Sequence, residues 1–237
     1  FPHPIRLIGQ SINLVDRCLN RGTKGGFGSA LLGLLAVLLI VGISTGGTWT
    51  LFAHIGCYPW SWTAEVALTT LVIAQRDMAH HLMRVGHALS RSGLGPSRMA
   101  VSHIVGRNTQ HLDEHGVARA AIESCAESYS DGIIAPIFWY LLLGLPGLLA
   151  YKAVNTMDSM IGHRSERYAA FGMVAARLDD VLNWLPARLS GALIVCDMLR
   201  GPVYGAGIAA LGRRGVNVSS GWRLSMDCRY TSAGLAV

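Results

Sequence analysis

Long apolar runs alternate with shorter polar segments along this chain. The longest run, "ALLGLLAVLLIVGISTGGTWTLF" (30–52), contains no charged residue. A helix of about 20 apolar residues spans the hydrocarbon core of a bilayer, which is about 30 Å thick. The run therefore predicts a transmembrane helix.

Charges on the two sides of this run predict its orientation. The basic residues that precede it are Arg6, Arg17, Arg21 and Lys24. The segment that follows, "AHIGCYPWSW", has no Lys or Arg but carries the aromatic residues Tyr58, Trp60 and Trp62. Basic residues accumulate on the cytoplasmic side of membrane helices, and Trp and Tyr accumulate at the interfaces. We therefore expect the helix to start in the cytoplasm.

The next segment predicts a return to the cytoplasm. From Trp62 to about Arg91 the pattern favours one long helix, apolar around Glu65 and amphipathic after it. The glycines and the proline of "SGLGPS" end this helix. Residues 92–131 are interpreted as a cytoplasmic helical segment whose helices are joined at "GRNTQHLDEHG".

A second apolar run, "GIIAPIFWYLLLGLPGLLAY" (132–151), is long enough for one crossing. However, Pro136 and the "GLPG" stretch interrupt a helix, because proline lacks a backbone donor. A crossing would also place basic residues outside the cell, against the usual charge bias: Lys152, Arg164, Arg167 and Arg177. We therefore favour a hairpin that enters the membrane and returns, and a straight crossing remains the alternative.

Composition agrees with a membrane protein. Of the 237 residues, 51% are hydrophobic and only 14% are charged, and the mean hydropathy is +0.38. Soluble domains carry about 25% charged residues. We therefore expect an all-α integral membrane protein with several transmembrane or re-entrant helices. The whole chain, 1–237, is interpreted as a single helical membrane domain, and a helix that precedes Phe1 is expected.

Several other classes of function are not supported. The net charge is +6, but no basic patch interleaved with aromatic residues is present, so nucleic-acid binding is not expected. The five cysteines are scattered, which argues against disulfides and zinc knuckles. His80, Arg84 and His87 share a helical face, but the chain has no H-E-x-x-H motif, no P-loop and no G-x-S-x-G motif.

Three acidic residues precede the second apolar run. Glu123, Glu127 and Asp131 are spaced i, i+4 and i+8, so an α-helix presents them on one face. Like charges at this spacing repel each other, and Arg119 lies one turn before the first of them. A solvated acidic face explains this pattern. A Mg²⁺ or polyphosphate site is the alternative, since hard cations prefer carboxylate oxygens.

A second polar cluster follows the apolar run. Asn155 and Asp158 share one helical face, and Asp179 and Asn183 share another, with Asp180 adjacent. The flanking basic residues are Lys152, Arg177 and Arg188. Carboxylates and amides beside basic residues are suited to binding a nucleotide phosphate through Mg²⁺. An interfacial network of salt bridges is the alternative. Pro186 is expected to end the second helix.

Five segments together resemble one protein family: "FPHPIRLIG", "GRNT", "RAAIESCAESYSDGIIAPIFW", "YKAVNTMDSMIGH" and "YAAFGMVAARLDDVLNWLPARL". They are similar to the cobalamin-biosynthesis membrane proteins called CobD or CbiB, the adenosylcobinamide-phosphate synthases. The resemblance runs from Phe1 to about Leu193. Residues 195–237 depart from it and are interpreted as an atypical C-terminal tail.

The resemblance implies a multi-pass enzyme of the inner membrane whose active face is cytoplasmic. It implies a ligase that forms a C–N (amide) bond, with ATP and Mg²⁺ as cofactors. Its substrates would be the corrinoid adenosylcobyric acid and (R)-1-amino-2-propanol or its O-phosphate. The hairpin aromatics Phe138, Trp139 and Tyr140 would line the apolar side of the corrin. A partner subunit or a homo-oligomer stays open.

The family's motifs also imply a set of site residues, and we expect the following roles. Catalytic residues would be Glu123, Glu127, Asp131, Asn155 and Asp158. Cofactor-binding residues would be Lys152, Ser159, Arg177, Asn183 and Arg188. Ligands of Mg²⁺ would be Asp158, Asp179 and Asp180.

Two other classes of function remain as alternatives. Asp-rich motifs also occur in membrane prenyl- or alcohol-phosphate transferases, where they bind Mg-diphosphate, although the full spacing of those motifs is missing here. A membrane transporter or sensor with buried ions would be the alternative without an enzyme activity. Amide formation from labelled aminopropanol distinguishes the three classes.

Overall fold

The computed structural model describes residues 4–20, 26–73, 76–106, 108–163, 165 and 167–200, without the side chains of 4, 76–79 and 197–200. Every regular element in these ranges is helical, which confirms the all-α prediction. The helices are α1 Pro4–Leu19, α2 Phe27–Ile55, α3 Ser61–Val72, α4 Arg76–Arg91, α5 Leu94–Ser102, α6 Glu114–Tyr129, α7 Ala135–Ile161 and α8 Met173–Arg200. A π-helical turn, Ser130–Ile134, joins α6 to α7.

The chain divides into two compact units. The first unit comprises Phe1–Ala74 and Ile133–Pro186, and the second comprises Gln75–Gly132 and Ala187–Val237. Within the part of the chain that the structure describes, two helical stretches are long and apolar enough to cross a membrane, Phe27–Ile55 and Glu114–Ile161. The first of them contains the predicted transmembrane helix.

Helix α2 buries several small residues on one face and exposes most of its leucines on another. Gly33, Ala36 and Val37 lie on the buried face. The exposed face carries large apolar residues, among them Leu31, Leu34, Leu35, Leu38 and Leu39. A Cβ atom at Gly33 would collide with the carbonyl oxygen of Phe171, so the helix approaches the chain before α8 more closely than any side chain allows. This arrangement is typical of helices surrounded by lipid.

The predicted long helix from Trp62 to Arg91 is wrong, because the structure has two helices there. Helix α3 ends at Val72, and the next residue, Ile73, has a ψ of 76°, which is not helical. Helix α4 begins at Arg76. The division between the two units falls between Ala74 and Gln75, so the apolar α3 and the amphipathic α4 pack against different cores.

Helix α7 contains a sharp reversal at Gly144, whose φ of 66° and ψ of −159° are accessible almost only to glycine. A Cβ atom at Gly147 would lie 2.6 Å from the carbonyl oxygen of Trp139. Residues eight apart are separated by about 12 Å in a straight helix. The segment 145–161 therefore folds back on 135–143, as the predicted hairpin requires.

Helix α8 continues through Pro186 to Arg200, so the prediction that Pro186 ends the helix is wrong. A proline inside a helix leaves the carbonyl four residues earlier without its usual N–H donor. That carbonyl belongs to Leu182, and it accepts a hydrogen bond from Trp139 Nε1 at 3.2 Å. The side chain replaces the missing backbone donor, and the helix continues.

The loop between α7 and α8 is tied to α1. The carboxylate of Asp16 is buried and accepts hydrogen bonds from Arg167 Nη2 at 2.7 Å, Tyr168 Oη at 3.2 Å and Asn20 Nδ2 at 2.9 Å. Burial raises the pKa of Tyr168, and the negative charge of Asp16 adds to that rise. Tyr168 therefore stays protonated and donates its hydrogen bond over the whole neutral range.

The second unit has a core of a different kind. Apolar residues of α4, α5 and α6 form it: Val85, Val101, Val117, Ala120 and Ala121. The connection between α5 and α6 is held by Arg98 Nε, which donates to the carbonyl of Leu112 at 2.6 Å. Asp113 caps α6 by accepting from the backbone N–H of Gly116 at 2.7 Å. The expected helices of the 92–131 segment are therefore present.

Candidate functional site

Two helices of the first unit bring together most of the second polar cluster. Lys152 and Asn155 lie three residues apart in the second arm of α7, so they share a face. Lys152 Nζ donates to Asn155 Oδ1 at 3.4 Å, and Asn155 Nδ2 donates to Asp179 Oδ1 on α8 at 3.4 Å. Sequence positions more than twenty residues apart thus meet at the place where the apolar hairpin ends.

The network continues into the protein interior. Asn183 Nδ2 donates to Asp179 Oδ2 at 2.9 Å, and Tyr151 Oη donates to Asn183 Oδ1 at 2.8 Å. The exposed fractions are 6% for Asp179, 2% for Asn183 and 1% for Tyr151. We call these five residues the amide–carboxylate network: Tyr151, Lys152, Asn155, Asp179 and Asn183.

Burial explains why this network consists of paired groups. An ionised carboxylate in a low-dielectric interior is strongly destabilising unless hydrogen-bond donors compensate it. Asp179 receives an amide donor on each oxygen, from Asn155 and from Asn183. The ammonium of Lys152 adds a positive charge next to Asn155. The network therefore holds the buried Asp179 carboxyl group in a fixed orientation.

Tyr151 was not among the predicted site residues. It is the last residue of the second apolar run, and it was grouped with that run rather than with the polar cluster. A fully buried tyrosine hydroxyl needs a hydrogen-bond partner. The spacing of Tyr151 and Asn155 could have indicated that Tyr151 belongs to the site, because residues four apart lie on one helical face.

Other predicted residues lie around the network rather than in it. Asp180 and Arg177 point outward, with side chains 53% and 64% exposed and 4.0 Å between Asp180 Oδ2 and Arg177 Nη1. An exposed ion pair at this distance contributes little to stability. Ser159 is exposed and its hydroxyl donates to the carbonyl of Asn155 at 2.9 Å. These residues are accessible to a ligand from solvent.

Asp158 lies at the C-terminal end of α7 and is half-buried. A Cβ atom at Gly162 would collide with the Oδ1 atom of Asp158, so the carboxylate rests against the backbone where the helix ends. Asp158 and Asn155 are one helical turn apart. The Asp158 carboxylate therefore lies on the same side of α7 as Asn155, the residue that contacts Asp179.

No group of three or more His, Cys, Asp or Glu side chains in the described part of the chain has the geometry of a metal site. Asp179 is buried and Asp180 is exposed, so neighbouring residues on α8 face different surroundings. The network offers carboxylate and amide oxygens, the type of metal ligand that Mg²⁺ prefers. This donor chemistry fits Mg²⁺ with water completing its shell, and does not fit a soft metal.

The first acidic cluster belongs to the second unit. Glu123 is half-buried and Glu127 is exposed on α6, one turn apart. Asp131 lies in the π-helical turn, where the rotation per residue differs from that of an α-helix. The i+8 spacing therefore does not show which way the Asp131 side chain points.

Arg188 lies on α8 beyond Pro186 and is exposed.

The π-helical turn also contains an unusual serine. Ser130 is buried, and its hydroxyl has no hydrogen-bond partner among the described residues. A buried hydroxyl without a partner destabilises a protein by about 1 to 3 kcal/mol. π-helical turns are frequent at functional sites. The turn therefore carries a local destabilisation beside the acidic residues of α6.

Comparison with known proteins gives consistent matches. The family model described as "CobD/Cbib protein" matches residues 1–235, which extends past Leu193 into the tail outside the described residues. The protein named cobalamin biosynthesis protein CobD from Sinorhizobium sp. is 47% identical over 204 residues, 84% of this chain and 62% of that protein. The protein of the same name from Brucella anthropi is 46% identical over 198 residues, 81% of this chain and 59% of that protein.

A relative with the other family name also matches. The cobalamin biosynthesis protein CbiB from Salmonella typhimurium is 41% identical over 225 residues, 94% of this chain and 66% of that protein. The chain spans about 60% of the length of the first two relatives. No solved structure gives a significant match. The resemblance seen in the sequence motifs is confirmed by the family match over nearly the whole chain, and the chain belongs to the CobD/CbiB family.

Proposed function

We propose that the protein acts in cobalamin biosynthesis as an ATP- and Mg²⁺-dependent amide ligase. It would join the free propionate of adenosylcobyric acid to (R)-1-amino-2-propanol or its O-phosphate. The family membership and the names of the relatives support a role in this pathway. The proposal that the reaction takes place at the end of the apolar hairpin rests on the amide–carboxylate network found there.

The chemistry requires activation of a carboxylate. A propionate is a poor acylating agent because its leaving group would be oxide. Transfer of a phosphoryl or adenylyl group from ATP converts it into an acyl phosphate or acyl adenylate, and the amine then attacks the carbonyl carbon. Phosphate or AMP leaves with the former carboxylate oxygen, and the ammonium must lose protons to a base before and after the attack.

The residues around the network have the required properties. Asp158 and Asp179 would supply oxygen ligands for Mg²⁺, and Asp180, which is exposed, would add a third. The cations Lys152, Arg177 and Arg188 would bind phosphate. Asn155 and Asn183 would orient a substrate amide or carboxylate, and fixed dipoles of this kind stabilise developing charge without reorganisation. In the second unit, Glu123, Glu127 and Asp131 would receive protons from the ammonium.

The hairpin connects this chemistry to the membrane. We infer that the arms 135–143 and 145–161 form a re-entrant element, because the first arm is only about 13 Å long and a crossing needs about 30 Å. Broken backbone at membrane depth is tolerated where protein or a wet cavity satisfies it. The basic residues then stay on the cytoplasmic side of the inner membrane, where the corrinoid and ATP are present.

The experiment measures amide formation from isotope-labelled aminopropanol, adenosylcobyric acid and ATP in membranes that contain the protein. Asp158→Ala and Asp180→Ala should each abolish turnover while the protein remains inserted in the membrane. Glu114→Ala, which removes an exposed carboxylate at the start of α6, is the matched control and should retain turnover. Full activity in both aspartate variants would reject this site.

A further inference from the structure

The two arms of the α7 hairpin contact α8 at adjacent residues. Trp139, in the first arm, donates from Nε1 to the carbonyl of Leu182 at 3.2 Å. Tyr151, in the second arm, donates from its hydroxyl to Oδ1 of Asn183 at 2.8 Å. The reversal at Gly144 makes this double contact reachable, since residues twelve apart in a straight helix are separated by about 18 Å.

The Leu182 carbonyl lacks its usual backbone donor because residue 186 is proline. In an α-helix the N–H of residue 186 would donate to the carbonyl of residue 182, and proline has no N–H. The carbonyl is partly buried with Trp139, in a unit whose helices are apolar on their outer surface. A backbone carbonyl without a donor is especially unfavourable where water is scarce. Trp139 supplies the donor that the helix lacks.

We propose that Trp139 is a positioning residue of the amide–carboxylate network and acts through the Leu182 carbonyl. Leu182 lies between Asp179 and Asn183 on the same turn of α8. Fixing its carbonyl fixes the backbone from which Asn183 reaches both Tyr151 Oη and Asp179 Oδ2. The hairpin therefore does more than bury apolar area, because its first arm orients the polar site. Only the kinetic test below rests on the proposed function.

A double-mutant cycle between Trp139 and Pro186 tests this role. Trp139→Phe keeps an aromatic ring and removes the indole N–H. Pro186→Ala gives residue 186 an N–H that can donate to the Leu182 carbonyl, and alanine is favourable inside a helix. Trp139→Phe alone should lower kcat roughly fivefold, the loss of one hydrogen bond, with the KM for the corrinoid within about twofold. In the Pro186→Ala background the same change should lower kcat by less than about twofold.

The melting temperature of the purified protein provides a readout that does not require turnover. Trp139→Phe should lower it by a few degrees in the parent chain and by much less in the Pro186→Ala background. Trp49→Phe is the matched control, because Trp49 is 72% exposed on α2. Its effect should be small and equal in both backgrounds.

The outcomes separate this proposal from the proposed function. Equal losses of stability and kcat from Trp139→Phe in both backgrounds would overturn the positioning role. A raised KM for the corrinoid that Pro186→Ala does not restore would also overturn it, and would instead place Trp139 against the substrate. Absence of amide formation in the parent protein would reject the ligase, while the melting-temperature cycle would still decide whether Trp139 replaces the missing helix donor.

Discussion

Helices α2 and α4 follow opposite packing rules within one chain. Helix α2 buries small residues such as Gly33 and Ala36 and exposes leucines. Helix α4 buries Val85 and Ala88 and exposes polar and basic side chains: His80, Arg84, His87 and Arg91. The first arrangement suits a helix surrounded by lipid, because close approach of backbones replaces the hydrophobic effect as the source of packing energy. The second is the usual pattern of a helix in water.

Polar side chains are placed differently in the two units. In the first unit the buried side chains of Tyr151, Asp179 and Asn183 are hydrogen-bonded to one another, as polar groups away from water require. In the second unit the acidic residues Glu123 and Glu127 lie at or near the surface, where water screens their repulsion. The Asp179 carboxyl group thus lies buried among the amides of Asn155 and Asn183, whereas Glu127 is exposed on α6.

The largest effect is expected where α2 approaches the chain before α8. Gly33→Leu adds a side chain where even a Cβ atom collides with the Phe171 carbonyl. Overpacking of a rigid backbone contact destabilises by several kcal/mol, about 3 or more here. We expect loss of the folded protein from detergent-solubilised membranes, measured by size-exclusion profile and melting temperature. Gly42→Leu, where a Cβ atom meets nothing within 4 Å, is the control. Equal tolerance of both changes would contradict close packing at Gly33.

A smaller loss of stability is expected from shortening a side chain in the core of the second unit, and almost none from shortening one on the exposed face of α2. Val101→Ala removes two methyl groups from the core of the second unit, where Val101 is fully buried, and should destabilise by about 2 kcal/mol. Leu38→Ala removes a larger volume from the exposed face of α2 and should change stability by less than about 0.5 kcal/mol. The measurement is unfolding of the same protein in lipid nanodiscs. A larger loss from Leu38→Ala would show that this face contacts protein.

The smallest expected effect is a gain in stability, whereas the two changes above lower it. Ser130→Ala removes a buried hydroxyl that has no partner among the described residues, so it should stabilise the protein by about 1 kcal/mol. Thr69→Val, at the other hydroxyl of this kind in the described residues, is the matched change in the first unit and should also stabilise. Thermal unfolding measures both. Destabilisation by Ser130→Ala would mean that its hydroxyl has a partner.

Much of this arrangement was predictable from local pattern. The uncharged run before Phe52, the break at "SGLGPS" and the reversal at "GLPG" each follow from residues that are close in sequence. Two boundaries were not predictable in this way. The break after Val72 depends on which core each helix joins, and the continuation through Pro186 depends on Trp139, which is far away in sequence.

The site shows the same division. Sequence motifs identified Asn155, Asp179 and Asn183, but their spacing could not show that Asp179 is buried while Asp180 is exposed. Tyr151 was grouped with the apolar run that it ends and not with the site. Its role depends on Asn183, a residue on another helix. The convergence of Glu123, Glu127 and Asp131 with this network stays a prediction.

The helical class, the family and the positions of the apolar and polar segments could all be predicted from the amino-acid sequence. These properties follow from hydrophobic periodicity and from motifs, which are local along the chain. Which polar atoms are buried, and which groups form hydrogen bonds with them, depends on how the helices pack. A hydrogen-bond donor for the Leu182 carbonyl, or for the Asp179 carboxylate, comes from whichever side chain the fold brings within about 3 Å. That proximity is a property of packed helices and not of sequence spacing.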